Sequence, residues 1–77
     1  MMTTPEDIKI WIEENLAESQ ASVEGDGQHF EATVICPAFV GKNMLQRHRM
    51  VYEALGDRMK SQIHALSLKA LAPNEIG

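Results

Sequence analysis

Apolar residues recur at two different periods along this chain, and each change of period marks a new element. Ile8, Trp11, Ile12 and Leu16 keep helical spacing and form one stripe, while Lys9, Glu13 and Glu14 fall off it. Just before the stripe, Thr4 suits an N-cap, Pro5 the first helical position, and Asp7 the third, where its carboxylate completes a capping box. Glu6 and Asp7 also complement the helix dipole. The period then drops to two. "ASVEGDGQHFEATVIC" reads as a hairpin centred on Gly25–Gly27. In its second strand Phe30, Ala32, Val34 and Cys36 share one face, Glu31 and Thr33 the other, with Ile35 the exception. Pro37 ends that strand.

Helical spacing returns at Met44, Leu45, His48, Val51, Tyr52 and Leu55. This assignment puts His48 inside the apolar stripe as a hydrogen-bonded core histidine and leaves Arg47 and Arg49 solvated on its flanks. Gly56 breaks the helix, and Asp57 is placed to cap a short second one. "QIHALSLKA" alternates again and predicts a last strand. His64, Leu66 and Leu68 point one way; Ile63, Ala65, Ser67 and Lys69 point the other. Pro73 stops the strand, and Asn74–Gly77 is too short for another stable helix. The expected order is α-β-β-α-α-β. The long crossover before the last strand allows it to lie parallel to the strand before it, as a short turn does not.

Length narrows this to a single domain over residues 1–77, whose core is small and whose stability is marginal. No apolar run approaches the roughly 18 residues of a membrane span, and "MMTTPEDIKIW" lacks the basic-then-apolar pattern of a signal peptide. One cysteine allows no internal disulfide, which fits a reducing compartment, and a cytoplasmic location is expected. Cys36, on the core side, is expected to be an inert thiol. The net charge of −4 opposes strong non-specific attraction to phosphate. Nothing pairs a nucleophile with a base, no two carboxylates mark a pocket, and no glycine loop could cradle phosphate, so no enzyme is expected.

One constellation has plausible chemistry. If the second and third strands are parallel neighbours, His29 and His64 open them at the same end of the sheet. Two neutral imidazoles can bind a borderline metal, but two ligands do not complete a site, so a partner must supply the rest.

"GDGQHF", "FVGKNMLQRHRMVYEAL" and "IHALSLKALAP" resemble the BolA family, most closely its short-loop, IbaG/YrbA-like branch. The resemblance covers nearly the whole chain in order. It implies a class II KH-like α/β (α+β) fold, a three-stranded mixed sheet with helices packed on one face. It also implies association with a monothiol glutaredoxin around a shared, glutathione-ligated [2Fe–2S] cluster. The isolated domain would be monomeric and carry no cofactor. The family's C-terminal histidine ligand falls on His64. Its second ligand, a Cys or His of the first hairpin loop, has no cysteine counterpart here, and His29 is the nearest candidate.

Some BolA proteins are described as DNA-binding transcriptional regulators. On that alternative the helix-turn-helix-like segment 43–61 would bind, with Lys42, Arg47, Arg49, Arg58 and Lys60 forming a basic surface around the helix pair. The turn Gly41–Met44 has one glycine where the nucleic-acid-gripping KH loop has two. A third reading is an interaction module in which all three histidines are structural.

Overall fold

The computed structural model describes residues 3–76; Met1, Met2 and Gly77, the ends of the expected domain, lie outside the described residues. Helix α1 (Pro5–Asn15) precedes a hairpin of β1 (Gln20–Gly25) and β2 (His29–Ile35). A 3-10 turn (Pro37–Phe39), helix α2 (Met44–Leu55) and a short helix α3 (Arg58–Ser61) lead to β3 (Ala65–Leu71), and a second 3-10 turn (Pro73–Glu75) follows. Sheet order is β1-β2-β3. The hairpin is antiparallel, and β3 lies parallel to β2 with His29 opposite Ala65 and Ile35 opposite Leu71. The mixed α/β architecture expected from the alternating periods is therefore present.

Local chemistry explains the boundaries. Thr4 Oγ1 accepts from Asp7 N–H at 3.1 Å and Asp7 Oδ2 accepts from Thr4 N–H at 3.1 Å, the capping box read from the sequence. Asn43 and Gln46 form a second box at the start of α2. In the hairpin, Asp26 Oδ1 accepts the N–H groups of Gln28 and His29, each at 2.9 Å, and Gly27 takes φ +100°. Those two N–H groups, His29 first, hold the Asp26 carboxyl below the usual carboxylate range. Gly25 is paired with Phe30, and a Cβ there would lie 2.6 Å from the Phe30 ring and collide with the His29 carbonyl.

The helices cover one face of the sheet, and the core forms between. Ile8 and Ile12 of α1 meet Phe30 and Val34 of β2, Val51 and Leu55 of α2, Cys36 and Phe39. Each large side chain taken fully out of water there contributes about 1.5–3 kcal/mol. Cys36 faces inward, as its parity predicts, and its thiol lies 3.5 Å from the Ala17 carbonyl.

Three expectations require correction. The last strand begins at Ala65, so Gln62–His64 precede it; buried Ile63 sends its N–H to the Arg58 carbonyl and closes α3 instead of belonging to the strand. Asp57 starts α3 without a side-chain cap, because it already has helical backbone angles of φ −64° and ψ −15°. The buried face of α2 is Arg47, Val51, Ala54 and Leu55, whereas Met44, Leu45 and Tyr52 are exposed. Arg47 is thus core-facing, not solvated; its cation stands where the pattern-based stripe looks for an apolar residue. The 3-10 turn Pro73–Glu75, short as expected of this segment, carries Glu75, which explains how that arginine is tolerated.

Candidate functional site

The parallel register brings His29 and His64 to one end of the sheet. His29 opens β2, and His64 directly precedes Ala65, the residue opposite His29. Both are exposed. They nevertheless line different hollows. His29 shares one with Glu24, Asp26, Glu31 and Ser67, on the open face of the sheet. His64 shares another with Met59, Lys60 and Gln62, beside α3. Strand alternation accounts for this, since His29 belongs with the outward residues Glu31 and Thr33. Among the described residues no group of three or more His, Cys, Asp or Glu side chains is arranged to hold a metal ion. Two imidazoles at one end of the sheet are fewer donors than a closed four-ligand metal site takes.

The proposed basic surface divides. Lys42, Arg49 and Lys60 are exposed and, among the described residues, make no ion pair. Arg58 stacks over Trp11, its guanidinium carbon 4.8 Å from the ring centroid. Arg47 must be removed from the set. Only 7% exposed, it donates from Nη1 and Nη2 to the two carboxylate oxygens of Glu75 at 2.6 and 2.7 Å. It also donates from Nε to the Lys42 carbonyl and from Nη1 to the Ala70 carbonyl. Little donor capacity is left for phosphate. Arg47, followed by the Ala72 N–H, lowers the Glu75 carboxyl to about 2.

Glu75 went unnoticed in the sequence because it lies in the short tail. The available signal was an acidic residue two places after Pro73, the pattern of a carboxylate folding back on the backbone at Ala72. His48 packs edge-on to Tyr52, with ring centroids 6.4 Å apart, and its buried Nε2 has no hydrogen-bond partner among the described residues. This corrects the expectation of a hydrogen-bonded core histidine. His48 shares no hollow with His29 or His64.

Residues 3–75 match the family model for BolA-like proteins. The chain belongs to the BolA-like family. A BolA homologue from Coxiella burnetii has a similar structure, with 60% identity, a TM-score of 0.91 and 96% of each chain covered. SufE-like protein 1 of Arabidopsis thaliana is 41% identical over 58 residues, 74% of this chain but 16% of that protein. The solved BolA domain of that protein superposes with a TM-score of 0.80 over 94% of each chain. The DNA-binding transcriptional regulator BolA of Escherichia coli is 36% identical over 44 residues, 57% of this chain and 42% of the regulator. The chain thus spans less than half the length of these curated relatives. The BolA-like assignment agrees with the family resemblance read from the three sequence motifs and with the fold it implies.

Proposed function

We propose that this BolA-like chain is a non-catalytic adaptor in iron–sulfur cluster assembly and trafficking, acting in the cytoplasm beside a monothiol glutaredoxin. The observation that carries the reading is the placement of His64. Its imidazole is exposed, yet its neighbours Ile63 and Ala65 are tied to α3 and to the sheet, so the ligand is held without being buried. Among the described residues no three metal-ligating side chains converge, and cargo shared between two proteins needs only one or two donors from each.

On this reading His64 supplies one nitrogen ligand to a [2Fe–2S] cluster, and the glutaredoxin thiolate and a glutathione sulfur supply others. His29, at the same end of the sheet but on its open face, is the candidate for the remaining position. Nitrogen in place of sulfur on one iron raises the reduction potential and changes the spectrum. Metal coordination in general takes the neutral imidazole.

Co-expression with a monothiol glutaredoxin, followed by visible absorption and circular dichroism of the complex, tests this. His64→Ala is expected to fold as the unsubstituted chain does but to yield an altered or labile cluster, and His29→Ala a smaller version of the same defect. A His64→Ala complex with unchanged spectrum and cluster lifetime would sink the assignment and leave a plain interaction module.

The regulator reading keeps one specific support, the relative named as a DNA-binding transcriptional regulator. Lys42, Arg49 and Lys60, with Arg58 held on Trp11, would carry it.

A further inference from the structure

The two outer strands of a sheet expose unpaired backbone groups, and the side chains around them show which edge is closed. At β1, the Ala21 N–H donates to Glu13 Oε2 at 2.9 Å, and Glu13 is itself paired with Lys9. At β3, the Leu71 carbonyl accepts from Cys36 N–H and so points toward β2. The neighbouring groups point the other way: the Ala70 carbonyl accepts from Arg47 and the Ala72 N–H donates to Glu75. The Arg47–Glu75 pair thus supplies one donor and one acceptor where a fourth strand would supply them.

That closure stops at Ala70. Backbone direction alternates along a strand, so the N–H and C=O groups of Leu66 and Leu68 also point away from β2, as does the Ala70 N–H. No side chain among the described residues bonds to them. Charge also differs between the two parts of the chain that carry these edges. Residues 1–41, which include β1, hold eight carboxylates and one lysine; residues 42–77, which include β3, hold six cations and three carboxylates. Lys69, on the outward face of β3, makes no ion pair among the described residues.

We propose that the free edge of β3 from Leu66 to Ala70 is a docking strand for an extended, acidic segment of a partner protein. The segment adds as a fourth strand, places a carboxylate beside Lys69, and ends against the Arg47–Glu75 pair. A second copy fits less well. Two β3 edges would bring like charges together at Lys69, and the β1 edge of another molecule is interrupted at Ala21 by Glu13. The proposal does not depend on the cluster reading.

The test uses the full ¹⁵N-labelled chain and a short alternating valine–glutamate peptide. At peptide ten times above its Kd, amide exchange at Leu66 and Leu68 should slow by about tenfold. Val23, on the β1 edge, should not change. The same peptide methylated at alternate amide nitrogens should give no protection, and a valine–lysine peptide should bind more weakly. Lys69→Glu, on an exposed outward position, should keep the fold and reverse that charge preference. Unchanged exchange at millimolar peptide, or equal protection by the methylated peptide, overturns the proposal. So does protection that appears with protein concentration alone, which assigns the edge to a second copy. Protection by single-stranded oligothymidine but by neither peptide assigns it to nucleic acid and also overturns the proposal.

Discussion

Glu75 ties three segments together through one carboxylate, which faces the Arg47 guanidinium of α2 and accepts the Ala72 N–H beyond β3. Its lowered pKa makes it a source of pH-dependent stability. The folded value of about 2 lies below the ordinary 4.5, so folding favours the ionised form. That contribution is complete above pH 4.5 and is lost as pH falls toward 2. Glu75→Gln is therefore expected to lower the denaturation midpoint at neutral pH, with the gap from the unsubstituted chain closing across that acidic window. Urea titrations at several pH values measure it; a gap independent of pH would show that the carboxylate's charge is not what matters. Gly25 is the other single residue with a sharp expectation. Its Cβ would strike the Phe30 ring and the His29 carbonyl, so Gly25→Ala should cost about 1–3 kcal/mol in chemical denaturation. Both effects depend on atoms distant from the local apolar pattern, which is why neither position stands out in it.

At the scale of elements, α1 was legible because its cap, first-turn proline and apolar stripe agree. Helix α2 was legible in existence and span but not in orientation. Met44, Leu45 and Tyr52 supply the apolar periodicity, yet the sheet is met by Arg47, Val51, Ala54 and Leu55. A periodicity argument treats arginine as solvated, and it is the distant Glu75 and the Ala70 carbonyl, added to the nearby Lys42 carbonyl, that satisfy it when buried. The start of α2 rests on local chemistry. Asn43→Ala removes the acceptor for the Gln46 N–H and should destabilise the fold by about 1 kcal/mol, read as a shift of the thermal or urea midpoint. No change would mean that tertiary packing alone holds the first turn.

For the whole molecule, charge is divided between an acidic first half and a basic second half, and this sets the terms on which DNA could bind. With Arg47 committed to Glu75 and Arg58 stacked on Trp11, the cations left to test by charge reversal are Lys42, Arg49 and Lys60. If the regulator reading holds, Arg49→Glu with Lys60→Glu should weaken duplex binding without unfolding the domain, and affinity should fall steeply with salt. Fluorescence anisotropy checks it, and binding unchanged by those reversals excludes this surface. Arg47→Glu, by contrast, should weaken the fold itself. By itself the sequence determined the order of elements and the inward face of β2, since each follows from spacing, caps and parity among near neighbours; His29 and His64 were candidates only through the expected parallel pairing and the family resemblance. Only the tertiary structure decided that His29 and His64 lie at one end of the sheet yet in separate hollows. Only it buried Arg47 and left part of the β3 edge open. Those outcomes turn on partners far apart in the chain, 28 residues for Arg47 and Glu75, whose pairing no local pattern records.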